Sequence, residues 1–308
     1  MALIRHLMGN EISVRCRARI GRAARSDVQL TGRGASMEHA LILWDGTQWA
    51  LRDLGSRNGT LLNNRRLQGD PVRLVPNDQI VFGDPDESWR WLDSSVPQAR
   101  AVRSDGTVVR AEGGLLLLPD ESFPVMSICL RNGIWERELR GEVLAVEDGQ
   151  ELRLGEHVFS LDLPTPNASI CTQAVEHAAS VSQSRVRFLV SADEEHVRIT
   201  LESNGVAKDL AYRASHYMLL LLGRARLADK AAGHAELEAG WVYADHLAKQ
   251  LGIDLDALNV QVHRSRRLVA RLSADNRSAF SECLELVERR RLQLRLGVSE
   301  ITIQRTCD

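Results

Sequence analysis

The density of turn signals in the first half of the chain limits its architecture before any motif is read. Asp45-Gly46, Asn58-Gly59, Pro76-Asn77-Asp78, Asp105-Gly106, Asn132-Gly133 and Asp148-Gly149 interrupt residues 1–163 at short intervals. Gly and Asn supply the left-handed backbone that tight turns require. Between them lie short alternating runs, which read as strands of a sandwich. Five of the six Trp (Trp44, Trp49, Trp89, Trp91, Trp135) fall in this half. Aromatic side chains suit a pleated, half-buried surface.

A weak internal repeat runs through the same half. HALILWDGTQWALRDL (39–54) is similar to VMSICLRNGIWERELR (125–140), and LVPNDQIVFGDPDESWRWLD (74–93) to LAVEDGQELRLGEHVFSLDL (144–163). Residues 97–163 therefore read either as a shortened, degenerate copy of the first unit or as accessory strands extending one sandwich. Residues 164–184, with two prolines and many small residues, read as a linker. After residue 185 the pattern changes. RVRFLV and HVRITLES read as strands, and 209–226, 241–252 and 254–273 as helices. Gly252 is placed to stop the second helix. In the third, Leu255, Leu258, Val262, Ser265, Val269 and Leu272 recur at three- and four-residue spacing on one face. The segment 284–305 reads as two or three strands. The expected organisation is multidomain: an all-β sandwich over 1–96, a β extension over 97–163, a linker over 164–184 and an α+β domain over 185–308.

Composition narrows the function classes. The 308 residues carry 39 Lys+Arg against 41 Asp+Glu, a net charge of −2, so a global nucleic-acid-binding charge is excluded while a local basic patch is not. The five cysteines are scattered with no CxxC spacing, which argues against a disulfide framework or a zinc site and fits a reducing cytoplasm. No apolar run approaches the length of a membrane span, and no signal peptide is expected. There is no Walker A loop, GxSxG, HExxH or dinucleotide fingerprint, and the nine His show no metal-ligand spacing. A non-enzymatic protein without a cofactor is expected.

One set of residues points to phosphate chemistry. In order these are Gly21-Arg22, Ser36-Met37-Glu38-His39, Leu51 to Thr60 (LRDLGSRNGT), Asn63, and Asp78 to Gly83 (DQIVFG). A phosphothreonine brings about two negative charges and three acceptor oxygens. An Arg, a hydroxyl and an amide on loops of a rigid scaffold are the groups that meet it. Singly, each has a plainer role: Asn58-Gly59 as a hairpin turn, Arg22 as a solvated charge, Ser36 as a turn cap. Together, residues 12–93 resemble the forkhead-associated (FHA) domain. The resemblance assigns Arg22 and Ser36 to the phosphate of a phosphothreonine protein, Asn58 to the peptide main chain, and structural roles to Gly21, His39 and Gly59. Arg57 stands where that family usually has Thr or Ser, and so either adds a second cation to the pocket or points away. Arg25 and Arg33 are candidates for added positive potential. The second copy lacks a counterpart of this set.

Residues 186–304 resemble the C-terminal effector domain of OmpR-type bacterial response regulators, through DALNVQVHRSRRLVARL (256–272) and LVERRRLQLRLG (286–297). The resemblance implies a winged helix-turn-helix whose third helix enters the DNA major groove. From Leu255 onward ten Arg face seven acids. His263, Arg264, Arg266, Arg267 and Arg271 fall off the apolar stripe, Arg264 and Arg267 are expected on one exposed ridge, and Arg289, Arg290 and Arg291 fall where a wing turns. Asn259 and Gln261 are candidates to read base edges. The combined expectation is a cytoplasmic transcription regulator that binds a phosphothreonine protein and double-stranded DNA. The alternative is a phosphothreonine-dependent adaptor whose winged helix contacts protein.

Overall fold

The structure, a computed structural model, describes residues 2–131, 133–165, 184–210, 215–275, 286–298 and 300–306. The expected linker at 164–184 lies almost wholly outside the described residues. The chain forms two units. The first gathers the residues up to Val108 with Glu147–Arg153 and the strand from Val158; the second gathers Val109–Val146, Leu154–His157 and the remainder.

The first unit begins with β1 (Leu3–His6), β2 (Glu11–Ser13), β3 (Arg17–Gly21), β4 (Val28–Gln29), β5 (Ala40–Trp44) and β6 (Trp49–Asp53). It continues with β7 (Thr60–Leu62), β8 (Arg65–Arg66), β9 (Val72–Arg73), β10 (Gln79–Phe82) and β11 (Ser88–Asp93). Two sheets result, in strand orders β2-β1-β11-β10-β7-β8 and β4-β3-β5-β6-β9. The alternation of β3 shows why they face each other: Ala18 and Ile20 are buried while Arg17 and Arg19 are exposed. Trp44, Trp49 and Trp91 meet inside, with ring centroids 5.7 and 5.5 Å apart. Asp45 folds the β5–β6 turn by accepting the amides of Thr47 and Gln48, both at 2.8 Å.

Residues 97–163, read from the sequence as one subdomain, divide in the structure. β12 (Arg100–Arg103), β13 (Val108–Arg110), β18 (Glu151–Leu154) and β19 (His157–Asp162) form one sheet, ordered β13-β12-β19-β18. Its Asp162 accepts from the amide of Cys16 (2.8 Å) and from Arg100 Nε (2.6 Å), and Arg100 donates onward to the Ser13 hydroxyl. These bonds tie β12 and β19 to the first sandwich. β14 (Leu115–Leu118), β15 (Met126–Arg131), β16 (Ile134–Leu139) and β17 (Glu142–Ala145) form a separate meander inside the second unit. All four leucines of β14 are buried, so this edge strand is covered on both faces, while β17 at the other edge is exposed.

The rest of the second unit contains β20 (Arg185–Val190), β21 (Val197–Ser203), β22 (Val206–Leu210), α1 (Ser215–Ala231) and β23 (Val242–Tyr243). α2 (Ala244–Leu251), α3 (Leu255–Asp275), β24 (Val287–Arg290), β25 (Gln293–Leu296) and β26 (Glu300–Arg305) follow. The sheets run β22-β21-β20-β26 and β23-β25-β24. Gly252 ends α2 in the left-handed conformation, its amide capping the carbonyls of Ala248 and Lys249.

α3 departs from a one-sided amphipathic helix. Leu258, Val262 and Val269 pack into the helical core as their spacing predicts. On another side, Ala270 packs with Leu115, Leu117 and Cys129 of the meander. A side chain at Gly113 would collide with the Ala270 carbonyl, so the backbone there must stay bare. Leu255, placed on the apolar stripe, is about half exposed instead (49%).

The meander and α3 are joined by a buried charge. Glu138 of β16 is 2% exposed and receives Arg266 (2.7 Å) and Arg289 (2.7 Å). Burial alone would raise the Glu138 carboxyl; the two guanidiniums outweigh it and bring the group down to about 2. Its ion-pair contribution is therefore complete above the ordinary 4.5 and is lost as pH falls through about 2. Glu138→Ala leaves two buried cations without their anion and should cost about 3–5 kcal/mol. Hydrogen exchange should show early loss of protection in α3 and β16, with the strands of the first sandwich unaffected.

Candidate functional site

The FHA-like residues converge at one end of the first sandwich. β3 ends at Gly21, and the amides of Arg22 and Ala23 donate to the carbonyls of Ser36 (3.0 Å) and Met37 (3.1 Å). That pairing brings the Ser36 loop against the strand end. A Cβ on Gly21 would sit 2.1 Å from the Met37 oxygen, so no larger residue permits this approach. Arg22 Nε donates to the Ala35 carbonyl at 2.6 Å, which points its guanidinium along the loop and leaves the two terminal nitrogens for another acceptor.

His39 is fully buried and braces the loop from beneath. Its Nδ1 accepts the Ser36 amide at 2.9 Å, and its Nε2 faces the Gly59 carbonyl at 3.3 Å. This pairing requires the neutral ring with the proton on Nε2. The Ser36 hydroxyl accepts the Arg57 amide at 3.1 Å, joining the two loops. Asn58 joins them again: its Nδ2 donates to the carbonyls of Gly34 (2.9 Å) and Gly83 (3.3 Å). The Arg57 guanidinium is exposed and makes no contact among the described residues. Arg33 is likewise exposed, while Arg25 is paired with Glu38 at 2.8 Å.

Three further residues position this end: Asp53, part of LRDLGSRNGT but given no role there, and Glu87 and Asp84, which the sequence did not single out. Asp53 accepts the amides of Gly55 and Ser56 and the hydroxyls of Ser56 and Thr60, all within 2.9 Å. Partial burial raises its carboxyl, but these bonds outweigh burial and hold it below the usual range. Its bond to the Gly55 amide, two residues on, is that of an Asx turn, the signal by which its role was findable. Glu87, 3% exposed, accepts the amides of Thr31 and Gly32, each at 2.6 Å, and so fixes the start of the Ser36 loop. Asp84 accepts the Gly34 amide at 3.2 Å. Nothing local in sequence marks these last two, because their partners lie about fifty positions away.

The basic residues of the second unit are placed differently from an open ridge. His263 and Arg266 are buried, at 1% and 2% exposure. Burial and the neighbouring Arg266 push His263 down to about 3, so the ring is neutral. Both residues face the meander, which a stripe analysis of one helix cannot foresee. Arg267 pairs with Glu112 (3.3 Å) and with Glu121, and Arg271 with Glu112 at 2.9 Å. Arg264 is exposed and donates to the Ser122 carbonyl at 2.8 Å. Asn259 Oδ1 accepts from Arg289 at 2.7 Å. Gln261 is half-buried. Arg290 stacks on Trp241 with its guanidinium carbon 4.8 Å from the ring centroid. Arg291 occupies the β24–β25 turn at a φ of 54° and is exposed.

Comparison with known proteins agrees with the geometry of the first unit. Residues 18–83 match the FHA domain family. The chain thus carries an FHA domain, and the convergence of Gly21, Arg22, Ser36, His39, Asn58 and Gly59 lies within it or on its loops. Over 68 residues it is 40% identical to the FHA domain-containing protein FhaA of Mycobacterium tuberculosis, covering 20% of this chain and 13% of that relative. Over 132 residues it is 30% identical to protein phosphatase 2C 70 of Arabidopsis thaliana, covering 38% of this chain and 23% of the relative. Among solved structures, Mycobacterium tuberculosis EmbR in complex with a low-affinity phosphopeptide is 26% identical over 31% of this chain and 25% of its own, at a TM-score of 0.28. The similarity to these proteins covers well under two thirds of each.

The His39 geometry makes a direct prediction. Burial holds its ring below the ordinary 6.5, so the Ser36–His39 bond contributes fully above that value and is lost as pH falls through the lower folded one. Nitrogen NMR should find His39 titrating below the ordinary 6.5 and, at neutral pH, carrying its single proton on Nε2.

Proposed function

We propose that this chain is a non-catalytic signalling protein whose FHA domain binds a phosphothreonine-containing protein. The observation that carries the reading is the convergence of the Arg22 terminal nitrogens, the Ser36 hydroxyl and the Asn58 amide on two loops locked together by hydrogen bonds. Such a site offers charge-assisted donors to the phosphate and, with the Asn58 Nδ2 spent on Gly34 and Gly83, the Asn58 Oδ1 acceptor to the peptide main chain. It also limits the ordering cost of binding, because His39, Asp53 and Glu87 already hold the loops. A phosphoprotein kinase or one of its substrates is the kind of partner that presents this group. Arg22→Ala should weaken a phosphothreonine peptide by roughly 10–100-fold, the equivalent of one lost charged hydrogen bond of about 1.5–3 kcal/mol. Titration calorimetry measures it, and unchanged affinity overturns the site.

For the second unit we propose DNA binding through a winged helix, with transcription regulation as the output. Among the described residues, the order of three strands, three helices, a β-hairpin and a last strand that returns to the first sheet supports this reading, as does the run of Arg264, Arg267 and Arg271 along α3. A second reading, an adaptor that contacts protein, is favoured by the burial of His263 and Arg266 and the pairing of Arg289 with Glu138. Salt separates the two. DNA binding should weaken steeply with salt, and Arg264→Ala with Arg267→Ala should reduce the slope of log affinity against log salt by about 1 per residue. A folded double variant that binds DNA as the wild type does favours the adaptor.

A further inference from the structure

The arginines of α3 enter two kinds of ion pair, and the difference has a functional meaning. Arg266 and Arg289 meet Glu138 in the interior, with all three side chains at or below 4% exposure. Arg267 and Arg271 meet Glu112 and Glu121 at the rim. There Glu112 is 36%, Glu121 44% and Arg271 45% exposed. The interior pairs anchor the meander to α3 and cannot be traded without exposing uncompensated charge. The rim pairs are solvated and screened, so each stabilises the fold by little and exchanges readily for another anion.

Arg264, Arg267 and Arg271 are spaced three and then four residues apart, which sets them in a row along one helix face. The carboxylates of Glu112 and Glu121 bridge two of the three. Beside the row is a cleft of about 480 Å³, lined by Phe123, Ser215, Gln261 and the same arginines. Among the described residues, the buried Ser215 Oγ, a hydroxyl able to donate to an anion, has no hydrogen-bond partner. Buried polar atoms are rarely left unmet. Phe123 stands 69% exposed at its edge. A row of cations with anions about 3 Å away, beside a cleft with an unmet hydroxyl donor, is the arrangement expected of a phosphate-binding face occupied by the chain's own acids.

We propose that Glu112 and Glu121 form a removable acidic guard over α3, standing where backbone phosphates of double-stranded DNA bind. The inference rests on the DNA reading of the second unit and adds its regulation: the duplex must displace the guard, and whatever withdraws residues 112–123 raises DNA affinity. The buried Glu138 anchor keeps α3 in place during the exchange.

The test uses the full chain and a fluorescent random-sequence duplex, with binding followed by anisotropy at several salt concentrations. E112Q/E121Q keeps side-chain size and backbone hydrogen bonds while removing two negative charges. It should bind DNA roughly tenfold or more tightly than wild type at low salt, with a steeper salt dependence. Adding R264A/R271A should remove the gain. E121Q alone should fall between wild type and the double variant, and serves if the double variant does not fold. If wild type binds DNA and folded E112Q/E121Q binds no tighter, the guard is overturned and the DNA reading stands. If neither binds, the DNA reading fails and takes the guard with it. If the gain survives R264A/R271A, the ridge is not the surface released and the proposal is overturned.

Discussion

Glu138 is withdrawn from water with its charge intact, and that single fact governs how the second unit is built. An ionised carboxylate in an apolar interior is tolerated only when cations and hydrogen bonds replace its lost hydration. Arg266 reaches it from α3 and Arg289 from β24, while Arg266 also donates to the Val287 carbonyl. One acid therefore ties the meander, the long helix and the terminal hairpin together. The tie accompanies the burial of α3 on two sides, and that burial, with Arg266 alongside, keeps His263 neutral rather than cationic.

The FHA domain meets a similar demand with neutral donors. Asp53 and Glu87 gather backbone amides and hydroxyls instead of guanidiniums. The outcome is different in kind. A carboxylate satisfied by arginines fixes elements to each other, whereas one satisfied by amides fixes the course of a loop. At this end of the sandwich the loops so fixed are the ones that carry Ser36 and Asn58. Gly21, Gly34 and Gly83 complete the arrangement, because a Cβ at any of them would enter a carbonyl of the opposite loop. The Ser36 and Asn58 loops are thus held by hydrogen bonds within the domain, while Arg57 and Arg33 remain solvated.

Much of this was legible in the sequence, and the reason differs by element. The strands of the first sandwich were readable because turn chemistry and two-residue alternation are local properties. The end of α2 at Gly252 was readable for the same reason. The pocket residues were readable because their order and spacing are distinctive as a set, although no one of them is. The division of residues 97–163 was not readable. β12 (Arg-Ala-Val-Arg) and β14 (four leucines) are both short runs of strand type, and which body each joins depends on distant partners such as Ser13 and Cys16 for the first sheet and Ala270 for the meander.

The amino-acid sequence by itself determined the β character of the first half, the three helices among the described residues of the second, and which residues meet at the loop end of the first sandwich. Each follows from backbone preference or from side-chain type, which act at short range. Tertiary structure alone decided which charges stay in water. Arg266 and Arg267 are adjacent, identical in chemistry and equally polar by any sequence measure. One is sealed against Glu138 and the other sits at a half-open rim with Glu112 and Glu121. Their difference lies about 100° around the helix and in a sheet more than a hundred residues away, because a charge is stabilised by whatever counter-charge the fold brings within reach.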